Sequence, residues 1–180
     1  MRRALDAPDE SSEIARLIVR YTLLLDSGNK ERVVGAIFTD DAVLDYEENK
    51  IVGTDAIRAF YASRPPGIGG VMHFVNNFSI DVDGDLATSL SYYQAWHWFV
   101  SAGRADSLSP VNFVSVGCFD DDLVRTREGW RIRQRALRPI SLGPIGIGRP
   151  RDSAREMYRH RVNRPNLQTP GSPPRAAIPR

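Results

Sequence analysis

The sequence predicts one α+β domain in which helices come first and an antiparallel sheet follows. Hydrophobic residues recur at helical spacing in the first third of the chain, and from Val71 onward they alternate with polar residues. The 180 residues, of which 42% are hydrophobic, suffice for one domain with a substantial core but not for two ordinary ones. We therefore expect a folded domain over residues 1–150, with a curved sheet packed on N-terminal helices, and a tail over residues 151–180.

Three helices are predicted in the first part of the chain. The first carries apolar residues at helical spacing after a polar start at Asp9 to Ser12, and it ends at Ser27-Gly28-Asn29. A second, short helix ends with Ile37-Phe38, before Thr39-Asp40-Asp41. A short strand, Ala42 to Tyr46, then leads towards Gly53-Thr54, which we interpret as the turn and N-cap of the third helix.

Four strands are predicted after the helices, at about residues 71–82, 85–100, 111–122 and 130–138. Asp83-Gly84 and Glu128-Gly129 have the composition of hairpin turns. The strand that begins at Val71 is apolar on both faces at its start, so we expect both faces to be covered. In a curved sheet the helices pack on one face, and the other face can close around a cavity, which is a natural place for a ligand.

The charge distribution argues against a nucleic-acid-binding core, although the sequence pI is 8.9. Residues 151–180 carry seven arginines and two carboxylates, a net +5 that leaves −3 for residues 1–150 when it is taken from the chain's +2. The tail is also rich in proline. It is either a solvated tail or an arm that binds a partner or another subunit.

Several other classes of protein are disfavoured by what the sequence lacks. It has no apolar run approaching the roughly 18 residues of a membrane span and no signal-like start, so we expect a cytoplasmic protein without membrane contact. The single cysteine, Cys118, lies in an apolar strand and is interpreted as an inert buried thiol. The histidines have no recognisable metal-ligand spacing, and no nucleotide-binding loop is present, so neither a metal nor a cofactor is expected.

Asp26 and His73 are the first candidates for chemistry, because both are titratable groups within largely apolar segments. A carboxylate that holds one nitrogen of an imidazole fixes its tautomer and strengthens the other nitrogen as a general base. The alternative interpretation is structural: Asp26 could cap the turn that follows it, and His73 could be a hydrogen-bonded core histidine.

Strand register determines which other polar side chains accompany His73. A two-residue turn at Asp83-Gly84 sets His73 opposite Gln94 and places His97 on the other face, unless a bulge intervenes. Asn77 shares the face of His73 in this register. Candidate substrate-binding residues are therefore Tyr46, Asn77, Gln94, Trp96 and His97, although Trp96 could equally belong to the core.

Together these segments resemble the SnoaL-like branch of the nuclear-transport-factor-2-like superfamily, whose domains are cone-shaped α+β barrels. The resemblance runs from about residue 13 to residue 138. It rests on the order and spacing of Tyr21 with Leu25-Asp26, Ile37-Phe38-Thr39-Asp40-Asp41-Ala42, Gly53-Thr54-Asp55-Ala56-Ile57, His73-Phe74-Val75-Asn76-Asn77, Asp83-Gly84-Asp85-Leu86-Ala87, Leu123-Val124-Arg125-Thr126 and Gly129-Trp130-Arg131-Ile132.

The resemblance implies a catalytic set made of Asp26, His73, Tyr21 and Arg135. In dehydratases and a dehydrochlorinase of this branch, a helix-borne Asp pairs with a strand-borne His that removes a proton, and Tyr21 and Arg135 match positions that assist the leaving group. On the residues alone, Tyr21 could be ordinary packing. Alternation places Arg135 with Arg131 and Arg133 on one face, where they could be solvent-exposed or paired with Asp120 to Asp122.

The function implied by the resemblance is a dehydratase or isomerase that needs no cofactor and acts on a hydrophobic, oxygenated small molecule such as a polyketide, aromatic or steroid-like compound. Two alternatives stay open: a polyketide cyclase, and a non-catalytic small subunit or binding module like those of ring-hydroxylating dioxygenases. The family also implies a homodimer or another homo-oligomer.

Overall fold

The computed structural model describes residues 9–28, 30–46, 49–63, 68–99 and 113–143. The helices are α1 (Glu10–Asp26), α2 (Lys30–Ile37) and α3 (Thr54–Ala62), and the strands are β1 (Phe38–Tyr46), β2 (Asn49–Val52), β3 (Ile68–Asp83), β4 (Leu86–Phe99), β5 (Phe113–Thr126) and β6 (Gly129–Gly143). The predicted tail over residues 151–180 lies outside the described residues, so the division of the chain at residue 150 stays a prediction.

The strands form one curved, open sheet in the order β2-β1-β6-β5-β4-β3, which confirms the predicted α+β fold. Strands β3 to β6 are joined as antiparallel neighbours, and β1 pairs with β6 in parallel. The parallel pairing places β1, the first strand of the chain, beside β6, the last one. Strand β2 pairs with β1 and forms one edge of the sheet. The opposite edge is β3.

Helix α1 begins and ends where the sequence predicts. The Asp9 carboxylate accepts a hydrogen bond from the backbone N–H of Ser12 at 2.7 Å, which satisfies one of the free donors of the first turn. At the other end Gly28 has a φ of 73°, in the left-handed region that favours glycine after a helix. The buried side of α1 includes Ile14, Ile18 and Tyr21.

The start of the sheet differs from the prediction. Phe38 begins β1 instead of ending α2, and Thr39-Asp40-Asp41 belong to the strand. A register shift against β6 between Phe38 and Val43 leaves Asp40 and Asp41 exposed, so polar residues that are typical of a helix end are accommodated within a strand. The short edge strand β2 was not predicted.

The helices cover one face of the sheet, which we call the inner face. Its core joins residues of all three helices to side chains of the sheet, among them Leu44, Tyr93, Phe119, Leu123 and Ile132. On β4 and β5 the odd-numbered residues point inward, and even-numbered residues such as Trp96 and Trp98 point to the opposite, outer face.

The outer face is exposed along the start of β3, so the prediction that this strand is covered on both faces is wrong there. Met72 and Phe74 are 46% and 49% exposed, and their neighbour Trp98 is 37% exposed. The apolar run of β3 therefore places Val71, His73 and Val75 inward and leaves an apolar strip outside. No helix among the described residues is long and apolar enough to cross a membrane.

Candidate functional site

Asp26 and His73 meet where the end of α1 lies against the edge strand β3. Nδ1 of His73 lies 2.6 Å from Oδ1 of Asp26, and the backbone N–H of His73 donates to Oδ2 of the same carboxylate at 2.9 Å. The side chains of His73 and Asp26 are 13% and 21% exposed. Both carboxylate oxygens of Asp26 thus contact His73, 47 positions away along the chain. The alternative interpretation, in which Asp26 caps the turn that follows it, is therefore wrong.

This geometry is suited to proton transfer. A carboxylate at Nδ1 favours the tautomer with the proton on Nδ1, so the lone pair of the neutral ring lies on Nε2. The second hydrogen bond, to the backbone, holds the carboxylate against the strand and so fixes the direction of the ring. Because His73 projects from β3 on the inner side, its ring, including Nε2, lies on the inner face of the sheet.

A bulge in β3 sets the register beside His73. The hairpin turn consists of Gly84 and Asp85, one residue later than predicted, and Asp83 pairs with Leu86. Between Asn76 and Ser79 the strand then contains one extra residue, so His73 lies opposite Ala95 and not Gln94.

The same bulge brings His97 to the inner face. His97 pairs with Val71, two residues from the pairing of His73, and the two imidazole rings lie edge to face with centroids 6.4 Å apart. The sequence analysis expected His97 on the face of His73 only if a bulge intervened, and that condition is met.

Three predicted substrate-binding residues are not placed on the inner face. Gln94 and Trp96 lie opposite Phe74 and Met72 on the outer face, and Trp96 stacks on Trp98 with ring centroids 6.3 Å apart. Asn77 has a φ of 52° at the bulge and is exposed, so it does not share the face of His73. These predictions assumed an unbroken register, and the bulge overturns them.

Tyr21 contacts a residue that the sequence reasoning did not select. Its hydroxyl lies 3.0 Å from the hydroxyl of Tyr61, on α3. Phe60, next to Tyr61, packs against Tyr46 with ring centroids 5.6 Å apart. Tyr46 therefore belongs to an aromatic row that runs from α1 through α3 to the end of β1.

Arg135 lies inside the protein and not among solvent-exposed arginines. An extra residue in β6, between the partners of Asp122 and Leu123, breaks the alternation and places both Ile132 and Arg135 inward, while Arg133 stays exposed. The prediction that Arg131, Arg133 and Arg135 share one face is therefore wrong.

Asp121 balances the buried charge of Arg135. Nε and Nη2 of Arg135 each donate to one carboxylate oxygen of Asp121 at 2.7 Å, and both side chains are 0% exposed. Burial opposes the charge of Arg135, but the Asp121 carboxylate outweighs this effect, and the pKa of Arg135 is raised further above its ordinary value. The guanidinium carbon also lies 4.1 Å from the ring centroid of Tyr21.

The inner face beside these groups has an aromatic floor. Tyr93 and Phe119 stack with ring centroids 4.6 Å apart, and Phe119 meets the Tyr21 ring edge to face. Gly117 makes this possible, because a Cβ there would lie 2.8 Å from the Tyr93 ring and 2.3 Å from the backbone oxygen of Arg138. Burial raises the pKa of Tyr93, so its phenol is neutral and structural.

Among the described residues, no group of three or more His, Cys, Asp and Glu side chains is arranged to hold a metal ion. Two carboxylates of the inner face are instead each paired with a basic side chain, Asp26 with His73 and Asp121 with Arg135.

A family model described as SnoaL-like domain matches residues 8–136 of the chain. The chain belongs to the SnoaL-like family. A protein of Mycobacterium tuberculosis, Rv2910c, which is described as uncharacterized, is 32% identical over 127 residues that cover 68% of this chain and 80% of that protein.

Solved structures share the fold of this SnoaL-like protein. A scytalone dehydratase-like protein from Novosphingobium aromaticivorans superposes with a TM-score of 0.63 at 23% identity, over 75% of this chain and 92% of that one. The hexachlorocyclohexane dehydrochlorinase LinA type 2 gives a TM-score of 0.62 at 15% identity, over 81% of this chain and 99% of that one. At such identities the likeness concerns the fold.

The sequence reasoning did not select Tyr61, whereas it offered Asp120 to Asp122 as partners of the β6 arginines, and Asp121 is the one that binds Arg135. Asp121 alternates with Phe119 and Leu123, and a carboxylate at an inward position of an apolar strand is a readable sign of a buried partner. Tyr61 had no comparable sign, since a tyrosine on the apolar side of a short helix is ordinary packing.

Proposed function

We propose that this SnoaL-like protein is a lyase or isomerase that needs no cofactor. His73 acts as the general base and removes a proton from a carbon next to a carbonyl group, and Asp26 orients the ring and stabilises the imidazolium that forms. The observation that carries the proposal is the 2.6 Å contact between Nδ1 of His73 and Oδ1 of Asp26, because it leaves Nε2 as the basic nitrogen on the inner face.

The surroundings of His73 support a hydrophobic substrate with an oxygen function. The inner face nearby offers the rings of Tyr93, Phe119 and Tyr46, while hydroxyl groups come from Tyr21 and Tyr61. An aryl or fused-ring ketone that carries a hydroxyl group at the β-carbon matches both features. Removal of its α-proton gives an enolate, from which loss of the hydroxyl (dehydration) or reprotonation elsewhere (isomerisation) follows.

Arg135 contributes to this site without touching a substrate. It is fully buried and bound to Asp121, and its charge lies against the face of the Tyr21 ring. We assign it the role of holding Tyr21 in place and of supplying positive potential near the developing enolate oxygen.

Deuterium uptake and enone formation together test the proposal, because an enolate that is reprotonated takes up deuterium and one that loses its hydroxyl becomes the enone. A panel of aryl and fused-ring β-hydroxy ketones is incubated with the protein in deuterium oxide, and both changes are followed by NMR. We expect His73→Ala and Asp26→Asn to lower their summed rate on the accepted ketone by about 10²- to 10⁴-fold. The matched control is Asp81→Asn, an exposed carboxylate of the same strand as His73, which should react at the wild-type rate. Equal rates for wild type and His73→Ala would eliminate His73 as the base.

A non-catalytic subunit is the second candidate, and the exposed outer face favours it. Met72, Phe74 and Trp98 form an apolar strip that a partner chain or another copy could cover. We propose that this strip supports a homo-oligomer. Sedimentation of the wild-type protein measures the mass of that oligomer. Absence of exchange and of enone formation on every ketone, together with a stable complex with a different protein, would favour the subunit over the enzyme.

A further inference from the structure

Tyr21 is poorly placed to touch a substrate. Its side chain is 2% exposed, Phe38 and Phe119 meet its ring edge to face, and the guanidinium of Arg135 lies over the ring at 4.1 Å. Its hydroxyl is engaged with the hydroxyl of Tyr61 at 3.0 Å. A substrate would have to displace Tyr61 before it reached the oxygen of Tyr21.

Tyr61 is placed differently. It lies on α3, only partly buried, between the Tyr21 ring at 6.4 Å and the Phe60 ring at 5.5 Å, measured between centroids. It thus stands between the interior and the aromatic row that ends at Tyr46. Of the two residues, Tyr61 keeps more of its surface exposed, although its hydroxyl lies in the interior.

The hydroxyl pair can act as one donor. Each phenol carries one proton and two acceptor lone pairs, and the bond between Tyr21 and Tyr61 uses one of the two protons. When Tyr21 donates to Tyr61, the proton of Tyr61 is directed away from the pair, and the oxygen of Tyr61 is polarised by the bond it receives.

The charges around the pair favour a negative oxygen beside it. Arg135 lies against the Tyr21 ring, and Nε and Nη2 of Arg135 are held by Asp121. Nη1 of Arg135 is buried and has no hydrogen-bond partner among the described residues. Burial raises the pKa of Tyr61 well above its ordinary value. Its phenol therefore keeps its proton at neutral pH and serves as a donor rather than a base.

We propose that Tyr61 is the catalytic residue that donates a hydrogen bond to the oxygen of the substrate, and that Tyr21 is the positioning residue that holds Tyr61. This rests on the proposed function. In a dehydration, Nε2 of His73 takes the α-proton, the carbon–carbon double bond forms, and the carbon–oxygen bond breaks as the departing hydroxyl takes the Tyr61 proton and leaves as water. The imidazolium then returns its proton to the phenolate through solvent, so the protein ends as it began.

Binding of substituted phenols tests the role of Tyr61 without the true substrate. A series of para-substituted phenols of similar size, from 4-nitrophenol to 4-chlorophenol, is titrated into the full chain at a pH where each is ionised. A hydrogen bond to the bound oxygen makes affinity rise with the basicity of the phenolate. We expect Tyr61→Phe to weaken 4-chlorophenolate by about 10- to 100-fold and to flatten this dependence. The control is Tyr92→Phe, which removes the same hydroxyl from the outer face.

Tyr21→Phe separates positioning from simple packing. A purely structural loss would weaken all phenolates by the same factor and leave the dependence on basicity unchanged. We expect the dependence to become shallower than in wild type and steeper than in Tyr61→Phe. Incorporation of 3-fluorotyrosine at position 61 keeps the ring and makes the hydroxyl more acidic, so phenolates should bind more tightly. This substitution also serves as the test if Tyr61→Phe does not fold.

The outcomes distinguish this inference from the function on which it rests. Equal affinities for Tyr61→Phe and Tyr92→Phe, an unchanged affinity with fluorotyrosine, or no phenolate binding by wild type would each overturn the role of Tyr61. Deuterium exchange or enone formation that depends on His73 would then still stand. Conversely, a Tyr61-dependent phenolate site without any His73-dependent exchange or enone formation would support the donor and refute the base.

Discussion

Two carboxylates of this protein each hold a basic side chain, and the two pairs lie in opposite surroundings. Asp26 holds His73 at the edge of the sheet, where both side chains keep part of their surface in contact with solvent. Asp121 holds Arg135 in the middle of the inner face, where neither side chain is exposed. The first pair contains an imidazole, which can accept or donate a proton, and the second contains a guanidinium, which stays charged.

This difference separates a working pair from a supporting one. An imidazole at the edge of the covered region can exchange protons with a ligand or with water, so partial exposure is useful there. A guanidinium within the core has no such exchange, and the energetic cost of burying its charge is offset only as long as its carboxylate stays in place. We therefore expect substitutions at the first pair to affect activity and substitutions at the second to affect folding.

The largest effect on stability is expected from Asp121→Asn. It leaves the buried charge of Arg135 without its counter-charge, which should lower the free energy of unfolding by about 3–5 kcal/mol. Urea denaturation measures this change, with the exposed Asp81→Asn as the matched control. The double variant Asp121→Leu with Arg135→Met removes both charges and should recover most of the loss. A double variant as unstable as Asp121→Asn would contradict this interpretation.

Asp26→Asn should have a smaller effect on stability than on activity. The amide can still accept from the backbone N–H of His73, and the pair is partly exposed, so we expect a loss of about 1 kcal/mol or less. The histidine ring should change more: nitrogen NMR of His73 should report the Nδ1-protonated tautomer in wild type and a mixture of tautomers in the variant. Identical tautomer signals in both proteins would show that the carboxylate does not control the ring.

Asp9 extends the comparison to a fully exposed carboxylate, and its effect should be the smallest. The hydrogen bond from the Ser12 backbone holds the pKa of Asp9 below its ordinary value of 3.8. A lowered pKa in the folded state means that its stabilising contribution is present above the ordinary value and disappears as the pH falls through the lowered one. Asp9→Ala should therefore melt slightly below wild type at pH 7 and together with it at about pH 2. A constant difference over this range would exclude ionisation as the cause.

The sequence predicted the helices better than the register of the strands. Six apolar residues at helical spacing, a polar start and Gly28 define α1, because each of these features acts within a few residues along the chain. The two-residue turn was placed one position too early. Correcting the turn alone would still leave His73 and His97 on opposite faces, and only the bulge at Asn77 brings them together.

Arg135 gives the same lesson on β6. Alternation from Trp130 predicts an arginine facing away from the core, and one extra residue at Arg133 reverses this. A bulge arises when hydrogen bonding and packing between strands distant in sequence are best satisfied with unequal residue counts. The hydrophobic periodicity of a single strand therefore does not predict where a bulge occurs.

What the sequence determined by itself is the α+β architecture, the inward position of His73 and the candidate pair with Asp26, since burial patterns and family-like spacing are properties of the chain order. Only the tertiary structure decided which polar groups share the inner face. It added Tyr61, selected Asp121 as the partner of Arg135, brought His97 and Arg135 inward, and moved Gln94, Trp96 and Asn77 elsewhere. The physical reason is that contacts between α1, α3 and the sheet depend on bulges, register and packing that form only when the distant segments meet.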